Sequence, residues 1–225
     1  MNATALSSKR KLVPEMEGAT ARWYARLRAS PAQMETYRTQ AVRLTRHLPD
    51  GARVLEVAPG PGYHAIEIAK LGRFEVVGLD ISRTLVEIAS EGARRAGINV
   101  DFRYGDVANM PFEAESFDLI TCQAAFKNFA QPVRALEEMH RVLRPGGMAV
   151  IDDLNREIST ADIDAEVRRQ GLGRLNGFAT KWILGTMLRR RAYSAAQFGV
   201  LARQSAFGAC DVRTEGIGLE VRLSK

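Results

Sequence analysis

Between Arg53 and Asp153 short apolar runs alternate with helical stretches, and no other feature limits the fold as much. Val54-Leu55-Glu56-Val57 and residues 74–79, 100–103, 117–121 and 148–152 have the apolar character of strands. Tyr63 to Leu71, Arg83 to Ala96 and Gln131 to Leu143 have helical periodicity, the last halted by Pro145-Gly146-Gly147. Strands alternating with helices need crossover connections, which predicts a mostly parallel sheet covered on both faces. Further on, Ser194 with Gln197 forms a capping box for a helix to about Gln204. Residues 210–214 and 219–223 then alternate about Glu215-Gly216-Ile217-Gly218, a hairpin pattern. The expected fold is α/β: a doubly wound, mostly parallel sheet of about seven strands, completed along one edge by a C-terminal antiparallel hairpin.

Two helices precede this core. Glu15 to Arg28 is a short amphipathic helix bearing Trp23 and Tyr24. Ser30-Pro31 supplies an N-cap and a first-turn residue for a helix from Pro31 to Leu48, closed by Pro49-Asp50-Gly51. Met34, Tyr37, Ala41, Leu44 and Leu48 share one face of it. Thr160 to Arg191 reads as helical and basic, broken by Gly171, Gly173, Gly177 and Gly185. The expected division is residues 1–50 as N-terminal helices on the substrate side and 51–225 as the ligand-binding domain, with 160–193 a helical lid insertion.

Composition narrows the class. A chain of 225 residues with 46% hydrophobic and 26% charged residues can bury one sizeable core, which disfavours disordered and fibrous classes. No apolar run approaches the ~20 residues of a membrane span, and no signal-like apolar segment follows Lys9-Arg10-Lys11. Cys122 and Cys210 lie far apart without metal-type spacing and read as reduced thiols, so a cytoplasmic, metal-free protein is expected. The net charge of +6 is spread over helix faces apart from Arg189-Arg190-Arg191, and no aromatic platform accompanies it. A small-molecule partner is therefore expected in place of a nucleic acid, for a monomer or a homodimer.

The chemistry gathers where the first strand meets the first crossover helix, at Glu56-Val57-Ala58-Pro59-Gly60-Pro61-Gly62. Glycines there let the backbone approach a ligand closely. Gly60-Pro61-Gly62-Tyr63-His64-Ala65 also satisfies the dinucleotide fingerprint, with Asp80 near the ribose position, so a nicotinamide cofactor has to be weighed. Three further features outweigh it. Asp80 ends the second strand, suited to a bidentate grip on ribose hydroxyls. Gly105-Asp106-Val107 ends the third, where a carboxylate can accept from an adenine amino group. The segment from Pro111 to Leu119 and Arg141-Val142-Leu143-Arg144-Pro145-Gly146-Gly147 then follow in order. All lie at carboxyl ends of strands, where open α/β sheets bind ligands.

In these motifs the stretch from about Arg53 to Asp153 resembles the class I S-adenosylmethionine-dependent methyltransferases, especially the quinone-biosynthesis-methyltransferase-like subgroup. The resemblance implies a Rossmann-like fold, S-adenosyl-L-methionine as cofactor and S-adenosyl-L-homocysteine as product. It implies that Glu56 orients the methionine amino group and that Ala58, Gly60 and Gly62 shape the turn around the aminoacyl chain. Asp80 would hold the ribose and Ile81 pack on the adenine, whose edge Gly105, Asp106 and Val107 would read. The backbone at Cys122 and Gln123 would lie beside the methionine end. The N-terminal helix with Trp23 and Tyr24 is an expected lid element, and Tyr24 is a candidate cofactor-binding residue. Two positions depart from the pattern: Ala58 replaces the usual first glycine, and Lys127-Asn128 replaces a His-His pair.

Methyl transfer from a sulfonium needs alignment above all, and a base only when the acceptor must lose a proton. Candidate bases are Asp152 and Asp153, which end the fifth strand with one facing the substrate side. His64 is a third, in the first turn of the cofactor helix with a surface position expected. Lys127 either pairs with an acid or snorkels to solvent, and Cys122 reads as a small buried hydrophobe. Trp182 to Leu188, an apolar stripe beside Arg189–Arg191, reads by default as core-facing, or else as the wall of an apolar pocket whose basic rim favours an anionic acceptor. Two rival readings remain: an RNA-binding methyltransferase, and a cofactor-binding protein that does not methylate.

Overall fold

The computed structural model describes residues 15–169, 186 and 188–225. Strands β1 (Arg53–Val57), β2 (Glu75–Asp80), β3 (Asp101–Tyr104), β4 (Phe117–Gln123), β5 (Leu143–Leu154), β6 (Asp211–Glu215) and β7 (Gly218–Ser224) form one sheet in the order β3-β2-β1-β4-β5-β7-β6. The first five are parallel, and β7 runs antiparallel between β5 and β6. The order reverses between β1 and β4, so a crevice opens at their carboxyl ends, the switch point at which such sheets bind ligands.

Strand alternation sorts the core into two faces. Val54, Val76, Leu119 and Val150 point one way, into a cluster with Ala41, Leu44, Ala65 and Ile68. Those last four lie on helices α2 (Pro31–Thr45) and α3 (Tyr63–Ala69). Leu55, Val77, Ile120 and Ile151 point the other way, towards Leu136, Met139, Phe198 and Leu201. These belong to α5 (Pro132–Val142) and α7 (Ala195–Arg203). Helices α1 (Gly18–Arg28), α4 (Arg83–Arg95) and α6 (Thr160–Arg169) are the other long helices described, beside single turns at Phe126–Asn128 and Arg189–Arg191. Because α2 covers α3, residues 64–69 of that helix are all buried.

Local chemistry explains most boundaries. The Ser30 hydroxyl accepts from Gln33 N at the start of α2, and both halves of the Ser194–Gln197 capping box form. The second helix stops at Thr45, short of the Leu48 expected, and the last residues turn so that Leu48 still reaches the core. The first begins at Gly18, not Glu15, because the Glu17 carboxylate is spent on α4. It accepts from Arg83 N (2.9 Å), Thr84 N (3.0 Å) and Thr84 Oγ1 (2.5 Å).

The fifth strand also differs from expectation. Pro145-Gly146-Gly147 does not separate a helix from a strand that starts at Met148, because β5 already begins at Leu143. Leu143 faces Phe117 and Met148 faces Leu119, so residues 144–147 bulge out of register. Gly147 permits this: a Cβ there would stand 2.9 Å from Arg144 O and 3.1 Å from Asp118 O. Beyond β5, Leu154, Ile158, Ile163 and Ala192 form a small third cluster under α6. Gly171, Gly173, Gly177, Gly185 and most of the Trp182–Leu188 stripe lie outside the described residues.

Candidate functional site

The turn after β1 is held in an unusual backbone conformation. Ala58, Gly60 and Gly62 all have positive φ, +52°, +57° and +77°. Ala58 N donates to Leu79 O (2.8 Å) and Gly60 N to Asp80 Oδ2 (2.9 Å), which lashes the turn to the end of β2. Gly62 then serves as N-cap of α3 in the left-handed region, with no room for a side chain. A Cβ there would meet Phe102 Cζ at 2.6 Å and Ala89 Cβ at 2.7 Å.

Asp80 accepts from Ser82 N as well (2.9 Å), so each of its oxygens already holds one backbone N–H. Burial pushes its carboxyl up to about 6, against those hydrogen bonds. Ile81 beside it is exposed at the crevice. Gly105 N donates to Asp80 O (2.9 Å), and Asp106 Oδ1 accepts from Ala108 N (2.9 Å). Val107 packs partly buried against the core. The three acidic and glycine-bearing strand ends therefore meet on one edge of the sheet.

Parity then separates the remaining candidates. Glu56, Gln123 and Asp152 continue the series of Val54, Leu119 and Val150, so they face α2 and α3. Gln123 Nε2 donates to Asp152 Oδ2 at 2.9 Å, and Arg43 of α2 stands 3.7 Å from that oxygen. Burial raises the Asp152 carboxyl, while the Gln123 amide opposes the shift. Cys122 and Asp153 point to the opposite face. Cys122 is fully buried in the main core, and burial drives its thiol well above the ordinary range. Asp153 accepts from Lys127 Nζ (2.7 Å), Lys127 N (2.8 Å) and Leu154 N (2.7 Å). Its carboxylate is thus committed to a buried ion pair behind the sheet, and of the two aspartates Asp152 is the one on the site side.

His64 requires a correction. It is not on the surface but 2% exposed, with Nδ1 3.2 Å from Glu56 Oε1. Glu56 is 1% exposed, and its Oε2 has no hydrogen-bond partner among the described residues. A narrow cleft opens over this pair, lined by Glu56, Ala58, Gly60, His64 and Gln123. Tyr24, Arg28 and Tyr37 from the N-terminal helices close it from above. Arg28 Nη2 donates to Tyr37 Oη (2.6 Å), and the Tyr63 hydroxyl donates to Ala25 O (3.1 Å), tying α1 to α2 and α3. Burial pushes the Tyr37 hydroxyl up to about 12. Sequence reasoning missed Arg28, Tyr37 and Tyr63 as cleft residues. The available signal was that Arg28 follows Tyr24 by four residues, which places both on one helix face.

Residues 54–147 match a family described as a methyltransferase domain. A demethylmenaquinone methyltransferase of Deinococcus radiodurans is 37% identical over 115 residues, 51% of this chain and 47% of that protein. A SAM-dependent methyltransferase structure from Aquifex aeolicus superposes with a TM-score of 0.67 at 19% identity, covering 89% of this chain and 96% of the other. Over this central stretch the chain is similar to methyltransferases, and its fold is that of S-adenosylmethionine-dependent methyltransferases. The chain spans about half the length of the curated relatives it matches. Its fold is also that of the [4+2]-cyclase SpnF, with a TM-score of 0.60 at 24% identity over 81% of this chain and 58% of that one. The methyltransferase fold therefore does not by itself fix the reaction. Among the described residues no helix is long and apolar enough to cross a membrane, and no cluster of His, Cys, Asp and Glu is suited to a metal ion.

Proposed function

We propose that this chain binds S-adenosyl-L-methionine across the carboxyl ends of β1, β2 and β4 and transfers its methyl group to a small aromatic acceptor. The carrying observation is the buried Glu56 Oε2, an acceptor with no partner among the described residues, in a cleft walled by a glycine turn. A buried carboxylate oxygen left unpaired is costly, and an ammonium group would satisfy it.

Each residue then has a role. Glu56 takes the amino group of the methionine arm, and Arg28 offers its carboxylate a guanidinium. Asp80 accepts from the ribose hydroxyls with the lone pairs its backbone donors leave free. Ile81 covers one face of the adenine, and Gly105, Asp106 and Val107 border its edge. The backbone of Cys122 and Gln123 flanks the methionine end. The bound cofactor supplies a methyl group already activated for in-line displacement. What the protein adds is alignment, which can contribute roughly 7–11 kcal/mol. Asp152, half-buried and steadied by Gln123, is placed to take a proton from an acidic acceptor.

The acceptor class rests on two supports. Tyr24, Tyr37 and Tyr63 line the cleft, a surface suited to an aromatic ring. The Deinococcus relative is named for demethylmenaquinone, a quinone-type substrate. Residues 1–50 and 160–193 would act as the covers on the substrate side, with Arg189–Arg191 forming a basic rim. Calorimetry with S-adenosylmethionine, S-adenosylhomocysteine and NADH on the wild type and Asp80→Ala tests the reading. Micromolar-range binding of the two adenosyl ligands, lost in the variant, is expected. A folded wild type that takes neither of them would overturn it.

A further inference from the structure

The cofactor reading employs Glu56 and leaves one buried polar atom of the cleft without a task. His64 lines the cleft beside Glu56, and its Nε2 is buried with no hydrogen-bond partner among the described residues. A buried nitrogen left unpaired forfeits the hydrogen bond it had with water. With Glu56 ionised and His64 neutral, the contact between Glu56 Oε1 and His64 Nδ1 at 3.2 Å puts the imidazole proton on Nδ1, because a carboxylate only accepts. Nε2 is then a bare lone pair. Of the neighbours on other elements, the Tyr37 oxygen takes an Arg28 N–H and the Gln123 amide donates to Asp152.

Two buried acceptors, Glu56 Oε2 and His64 Nε2, thus line one cleft. The complement of two acceptors is a group that only donates, and a primary ammonium carries three N–H donors and no acceptor. We infer that His64 is a second binding residue for the ammonium of the cofactor's amino-acid arm, accepting one N–H at Nε2 while Glu56 Oε2 accepts another. The same imidazole fixes the Glu56 carboxylate through Nδ1, so the pair recognises the amino group as a unit. This rests on the proposed cofactor and adds a residue to it. Thr121 Oγ1, on the register partner of Glu56, is a third buried atom without a partner among the described residues, although Thr121 is not part of the cleft lining. A water shared by these three atoms is the competing occupant, and it would make His64 matter equally to ligands with and without an amino group.

The test compares S-adenosylhomocysteine with its deaminated analogue by calorimetry, on the wild type and on His64→Asn. Asparagine can still donate to Glu56 from the Nδ1 position but has nothing at Nε2. The variant is expected to lose about tenfold or more of the preference for the amino ligand, as for a hydrogen bond to a charged group. His64→Gln, whose amide oxygen reaches the Nε2 position, should restore part of it. Nitrogen-15 imidazole spectra of the wild type give a second readout that does not depend on any variant folding. The Nε2 resonance should move on adding S-adenosylhomocysteine and stay in place with the analogue. An unchanged preference, or an Nε2 signal that responds alike to both ligands, would sink the inference while leaving the cofactor reading intact. Absence of any adenosyl-ligand binding by the wild type would instead remove the cofactor reading itself.

Discussion

Replacing Gly62 by alanine tests whether the cofactor turn is shaped by packing as well as by backbone conformation. Gly62 sits at φ +77°, where an L-residue is disfavoured by roughly 1–2 kcal/mol. Its Cβ would also press on Phe102 Cζ at 2.6 Å and Ala89 Cβ at 2.7 Å. Overpacking of that kind costs roughly 1–3 kcal/mol. The loss of unfolded-state freedom returns about 0.5–1 kcal/mol. The net expectation is a destabilisation of roughly 1–4 kcal/mol. Gly72 supplies an internal control, because it has nearly the same φ, +71°, and nothing within 4 Å of its would-be Cβ. Gly72→Ala should therefore carry the conformational cost alone, and urea unfolding followed by circular dichroism should show Gly62→Ala worse by about 1–3 kcal/mol. Equal losses in the two variants would refute the packing argument.

Two further outcomes follow from the same turn. Ala58 holds a positive φ of +52° with a side chain, so Ala58→Gly should gain about 0.5–1 kcal/mol in urea unfolding once lost and gained entropy are set against each other; a destabilised variant would contradict the strain. Asp80 is raised to about 6 by burial, so its carboxyl takes up a proton as pH falls through that value and loses acceptor strength towards ribose hydroxyls. S-adenosylhomocysteine affinity should decline below about pH 6 in the wild type and be flat across that range in Asp80→Asn, as calorimetry at several pH values would show.

The sequence was most legible where one local rule decides one feature. Ser194 and Gln197 announce a helix start through two reciprocal hydrogen bonds, and both are present. The five parallel strands and the hairpin follow from runs of apolar residues broken by turn formers. Legibility ended where a second layer intervenes. His64 looked like a surface residue because a short helix was expected to have a solvent face, yet α2 packs over α3 and removes it. Arg28 reaches the cleft on α1, which Glu17 docks on the start of α4 through contacts 66 or more residues apart in sequence, and Tyr37 reaches it on α2, which packs over α3. Residues 144–147 looked like a terminator because proline and glycine usually are one, whereas a bulge in a strand needs the same residues.

The division of labour between the two sheet faces carries the most information about this site. Side chains on a strand alternate, so Glu56, Asp80, Gln123 and Asp152 share a face only because each lies an even number of residues from a core residue pointing there. Cys122 and Asp153, one residue away from Gln123 and Asp152, are delivered to the opposite core, where Asp153 neutralises Lys127. Shifting β4 by one residue would exchange Gln123 for Cys122 at the cleft and strand a polar amide in the apolar core. The glycine turn and the acidic strand ends are therefore not separable motifs. Their chemistry depends on a register that the buried apolar residues of β1, β2, β4 and β5 enforce, and the core that stabilises the fold is also what aims the site.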